Sequence, residues 1–136
     1  MEHLYKVAMS YTAELLILAF LAITFLQSGI DKIADWKGNV YFLNGHFSKT
    51  LFKNIVPQLL VLVLIFEIVI GVLSVVGIFE IYIYQNTFIG FLASVLAAKI
   101  LLGLLLGQRI AKDYAGAMTI AVYFIVAIMG VLVLQT

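Results

Sequence analysis

Two ionisable residues stand inside stretches that should otherwise carry none. Glu67 interrupts the apolar run Ile55–Val76, and Lys99 interrupts Thr87–Leu106. A charge at membrane depth costs about 2.5 kcal/mol or more unless it is paired or wetted. The two are opposite in sign, so an intramembrane Glu67–Lys99 ion pair is one expectation. Other polar side chains fall at helical spacing around them. Thr24, Gln27 and Asp31 share one face of the first apolar stretch, and Thr119 and Tyr123 share one face of the last. Gln27, Asp31, Glu67, Lys99, Thr119 and Tyr123 therefore form the candidate intramembrane polar site. Such a set has three uses. It can hold helices together through interhelical hydrogen bonds, each contributing about 0.6–2 kcal/mol. It can bind a polar headgroup or carry protons, with Glu67 as carrier and Lys99 as its electrostatic partner. Or Lys99 can snorkel to the headgroups without a partner.

Four apolar stretches must position these residues: Thr12–Ile33, Ile55–Val76, Thr87–Leu106 and Ala115–Leu134. A span needs about 20 residues, and lipid forces the backbone to satisfy its own hydrogen bonds, so each is predicted to be a helix. The expected architecture is all-α: an integral membrane up-down four-helix bundle, one domain over 1–136, with a long interfacial connection between helices 1 and 2. Pro57, the only proline, falls in the first turn of the second span, where its missing N–H is harmless. Counted from the nearer end, Glu67 lies about 12 residues deep (roughly 18 Å) and Lys99 about 7 (roughly 10 Å).

Orientation follows from the basic residues. Lys6 stands alone on the side of the termini and the second connection. Lys32, Lys37, Lys49, Lys53, Arg109 and Lys112 gather on the other. The positive-inside rule then places connections one and three in the cytoplasm and both termini outside, on the periplasmic side of a bacterial inner membrane. Tyr11, Phe79, Tyr82, Tyr84 and Phe88 form the expected outer aromatic belt, and Trp36, Tyr41, Phe42, Phe47 and Phe52 the inner one. The N-terminal stretch Met1–Ser10 lacks the features of a cleavable signal, so the first apolar stretch reads as a permanent span. The first connection, 34–54, mixes aromatics with lysines and carries an Asn44-Gly45 turn signal. It reads as an interfacial segment, with a docking or lid role as the alternative.

Composition narrows the chemistry. Of 136 residues, 65% are hydrophobic and 11% charged, far more apolar than a soluble domain. The net charge of +1 gives no basis for nucleic-acid binding. The absence of cysteine removes disulfide exchange, thiol nucleophiles and iron–sulfur clusters. His3 and His46 lie outside the apolar stretches, which argues against a bis-histidine haem. No metal-ligand cluster, nucleophile elbow or phosphate loop is evident, and no catalytic residue is assigned. Gly103 and Gly107 form a GxxxG pair, and Gly90, Ser94 and Ala98 a second strip of small residues, so Gly90, Ser94, Gly103 and Gly107 are the expected helix-packing positions, within the chain or toward a neighbouring subunit. Asp31, Lys32, Arg109 and Asp113 are placed to form a salt-bridge network at the cytoplasmic ends of the spans.

Short motifs add a resemblance. Phe25-Leu-Gln-Ser-Gly29-Ile-Asp-Lys32-Ile and Phe66-Glu67-Ile-Val-Ile-Gly71, followed by Gly77, resemble the helix-1 and helix-2 signatures of the DoxX family. Ile70 replaces the first glycine of the family's usual pair. Gly29, Lys32, Glu67 and Gly71 match motif positions. The resemblance implies a small four-helix membrane protein, in some cases linked to thiosulfate–quinone oxidoreduction or to oxidase complexes as an accessory subunit.

Three functional expectations result. The first is a non-catalytic accessory or scaffold subunit of a larger inner-membrane complex, with partner subunits or further copies of itself. The second is a quinone-linked redox subunit whose polar interior holds a quinone headgroup; no other cofactor is indicated. The third, a small transporter, is disfavoured because four helices without an internal repeat leave little room for alternating access.

Overall fold

The structure is a computed structural model that describes residues 1–135. Six helices follow in order: α1 Glu2–Ser10, α2 Thr12–Ala34, α3 Trp36–His46, α4 Val56–Tyr84, α5 Phe88–Ile110 and α6 Tyr114–Leu134. Four of them, α2, α4, α5 and α6, are long and apolar enough to cross a membrane. The outward faces carry Ile23, Ile65, Val72, Ile125 and Leu132, all at least 48% exposed, so the surface is as apolar as the interior. That distribution suits lipid as solvent.

The spans pack as a closed ring: α2 on α4, α4 on α5, α5 on α6, and α6 back against α2. Tyr11 at the start of α2 donates its hydroxyl to the Gln85 carbonyl after α4, at 3.1 Å. Thr87 before α5 donates to the Leu134 carbonyl closing α6, at 2.9 Å. The start of α2 thus meets the end of α4, and the start of α5 meets the end of α6. One core cluster, with Leu18, Ile81 and Leu134, lies toward this end; the other, with Leu21, Phe25, Ile70 and Leu101, lies nearer the middle.

Small residues set how closely the helices approach. A Cβ at Gly77 would stand 2.9 Å from the Gly90 backbone, so α4 and α5 touch main chain to main chain there. Gly71 faces Leu26, Gly29 faces Ile68, and Gly130 lies against Ser94. Gly90 and Ser94 therefore pack helices as expected. Gly103 does not: nothing lies within 4 Å of its would-be Cβ, and Gly107 meets only the Phe47 ring at 3.8 Å. The GxxxG pair leaves space instead of closing it.

Helix boundaries depart from expectation in three places. The second span runs on through Gly77 to Tyr84 and stops only where Gln85 turns left-handed (φ 51°). The apolar run 78–84 sustains it, and Gly77 serves close packing instead of ending the helix. Connection three shrinks to 111–113, turned by Lys112 at φ 61°. In the first connection, Asn44-Gly45 is not a turn but the last turn of α3. That helix is started by Asp35, whose side chain accepts from Gly38 N–H at 3.2 Å. A short helix, α1, also precedes the first span and seats Val7 against the bundle.

Candidate intramembrane site

Glu67 is buried on α4 with 4% of its surface exposed. Its partner is Lys32 of α2, not Lys99. The Lys32 ammonium lies 2.7 Å from Glu67 Oε1, an ion pair. Ser28, one turn before Lys32 on α2, donates its hydroxyl to Glu67 Oε2 at 2.5 Å and accepts from Lys32 Nζ at 2.8 Å. The three groups close a triangle in which each carboxylate oxygen meets a donor or a cation. A buried carboxylate needs that compensation. Gly29 and Gly71 let α2 and α4 approach beside it. Ser28 escaped the sequence reading, although its position four residues before Lys32 was a usable signal.

Lys99 stands elsewhere. It is exposed on the outer face of α5, and it makes no hydrogen bond or ion pair among the described residues. The reason is angular: the face of α5 turned to the bundle is Gly90, Ala93, Ser94, Ala97, Ala98 and Leu101, and Lys99 lies off it. Thr119 is also exposed and donates to its own helix, to the Ala115 carbonyl at 3.3 Å. Both residues therefore leave the expected interior set.

Gln27 and Asp31, both exposed on α2, stay with buried Glu67 and half-buried Tyr123. They line a cavity of about 740 Å³ between the spans, along with Thr24, Ser28 and Lys32. The rest of the wall is apolar, including Leu60, Val63, Leu104 and Ile120, and Gly103 and Gly107 open it on the α5 side. Phe20 packs edge-on against Tyr123, with ring centres 6.0 Å apart, which fixes that ring. Among the described residues, the side chains of Gln27, Asp31 and Tyr123 make no hydrogen bond. A second, more open depression beside Trp36 and Pro57 has almost no polar lining.

One end of the cavity is covered by α3 and the segment after it. Asn39, Phe42, Leu43, Phe47 and Phe52 line the space, so three rings of the expected inner belt also roof the cavity. They are held as a set. His46 stacks with Phe42 (5.5 Å) and meets Phe47 edge-on (4.9 Å), and Phe47 meets Phe52 at 5.9 Å. His46 Nε2 also reaches Gln108 Oε1 at 2.9 Å and Asp113 Oδ2 at 3.7 Å, which ties the roof to the end of α5 and to the cap of α6. The expected network of Asp31, Lys32, Arg109 and Asp113 does not form. Lys32 turns inward to Glu67, Arg109 lies over the Tyr114 ring at 5.3 Å, and Asp113 caps α6 through Gly116 N–H.

These features define a four-span membrane protein with an amphiphilic cavity and a buried ion pair in its wall. No family model matches the chain, and no curated protein or solved structure matches it either.

Proposed function

We propose that the chain binds an amphiphilic small molecule in this cavity, with its polar headgroup against Lys32, Gln27 and Tyr123 and its apolar tail along α5 and α6. The observation that carries this reading is the pairing of unengaged polar groups with an otherwise apolar wall in a cavity of about 740 Å³, the size of a ligand site. A quinone is the favoured ligand class. Its carbonyl oxygens need donors, and the Lys32 ammonium, the Gln27 amide and the Tyr123 hydroxyl supply them. Glu67 holds the Lys32 side chain turned into the bundle. When bound, a quinone supplies the redox chemistry; the residues here bind and orient it. The resemblance of the α2 and α4 motifs to the DoxX family supports the same class, because Gly29, Lys32, Glu67 and Gly71 all belong to the α2–α4 contact at the cavity wall.

In this reading the spans form an up-down bundle in the bacterial inner membrane. The roofed end faces the cytoplasm, where six of the eight basic residues gather. The end-to-end contacts Tyr11–Gln85 and Thr87–Leu134 support the alternation.

The test is direct titration of the detergent-purified protein with a decyl-chain quinone. Gly103 lines the cavity and a Cβ there meets nothing within 4 Å, so Gly103→Phe should place a ring in the open space and weaken binding at least about tenfold, the loss of about 1.4 kcal/mol of contact. Undiminished affinity in Gly103→Phe would remove the cavity as the site.

A further inference from the structure

Lys99 occupies an unusual position. It is the central residue of α5, eleven residues from Phe88 and eleven from Ile110. At 1.5 Å per residue that is roughly 16 Å from either end, about half the thickness of a bilayer core. A lysine stem covers only part of that distance, so snorkelling leaves the ammonium within hydrocarbon. The cavity does not rescue it, because its wall takes Ile100, Leu101 and Gly103 from this stretch and not Lys99.

Its surroundings on the outer face are regular. Phe88, Leu92, Val95, Lys99, Leu102, Leu106 and Arg109 recur at alternating steps of four and three. All are exposed except Val95, which is half-buried. Any one face of a helix repeats this way; this face is set apart by the cation at its centre.

We infer that this face of α5 docks a transmembrane helix of a different protein, one that carries an aspartate or glutamate at mid-membrane depth opposite Lys99. Charge complementarity selects that occupant. A second copy packed through the same stripe would bring two Lys99 ammoniums together. Nor does this chain present an acid to meet them: Glu67 is buried in its own ion pair, Glu80 accepts from Ile89 N–H near the far end, and the other acids lie at or beyond helix termini. A partner carboxylate satisfies both charges at once, and the leucines on either side supply the packing. The interface is independent of what the cavity binds. It gives the accessory-subunit expectation a defined surface.

The experiment places a photo-crosslinking benzoylphenylalanine at position 102, on the stripe, or at position 125 of α6 as a control, in the full chain in native membranes. The expected result is one protein adduct from position 102 and none from 125, mapped by mass spectrometry to a transmembrane segment containing Asp or Glu. Lys99→Leu should cut its yield about tenfold or more, while Lys99→Arg keeps most of it. Lys99→Glu should abolish the adduct, and reversing the partner's acid to lysine should restore it. Because Lys99 is exposed, these variants should fold, and unchanged melting would confirm that. Adducts only to lipid, an adduct to a second copy, or a yield indifferent to Lys99→Leu would overturn the inference.

Discussion

Removing the Glu67 carboxylate should strand Lys32, and the size of that effect separates the observed pairing from the alternative one. Eliminating one member of a buried ion pair costs about 3–5 kcal/mol in soluble proteins, because the other charge remains without compensation. Two features of this site lower the figure. Lys32 keeps 17% of its side chain exposed, against 5% for Glu67, so its ammonium regains some water through the cavity. The unfolded reference state in a membrane also finds other partners, which leaves about 2 kcal/mol each for Glu67→Leu and Lys32→Met. Replacing both with apolar side chains removes the stranded charge, and the double variant should lie within about 1 kcal/mol of the parent. The resulting coupling is about 3–5 kcal/mol. The same cycle for Glu67→Leu with Lys99→Leu should give a coupling within about 0.5 kcal/mol of zero, since the two residues share no contact. Reversible unfolding in mixed micelles, followed by helical circular dichroism, measures each term. A Lys32 coupling below about 0.5 kcal/mol, or a larger one for Lys99, would refute the reasoning.

Two further outcomes follow from particular contacts. Gly77→Ala should destabilise the bundle by about 2 kcal/mol, because its new methyl meets the Gly90 main chain, which has no rotamer to change; Gly103→Ala should stay within about 0.5 kcal/mol of the parent, and the same unfolding assay compares them. In cells, Ser48→Cys should react with a membrane-impermeant maleimide only after permeabilisation and Gln135→Cys before it; the reverse pattern would invert the proposed orientation, and no native cysteine interferes.

The sequence by itself determined the class of the fold. Four runs of apolar residues, each long enough to cross lipid, leave helices as the only way to satisfy the backbone, and no packing detail can change that. It also marked Glu67, since a carboxylate in such a run must be compensated wherever the helices fall. Gln27 and Asp31 share a face by helical spacing and both line the cavity; the same spacing groups Thr119 with Tyr123, and only Tyr123 lines it.

What the tertiary structure alone decided is which faces meet. Sequence pairs Glu67 with Lys99 and leaves Lys32 at the helix end; in the fold Lys32 reaches Glu67, and the rotation of α5 about its axis turns Lys99 away. That rotation is set by Gly77 against Gly90 and by Gly130 against Ser94, contacts between distant residues that no periodicity encodes. The same turn puts Lys99 on the outer face of the bundle and leaves Gly103 over empty space, so one GxxxG-like strip packs and the other lines a cavity. The roof is also a tertiary outcome. Aromatics 42, 47 and 52 suit a membrane interface equally well. It is His46, held by Gln108 from the far end of α5, that folds them over the cavity.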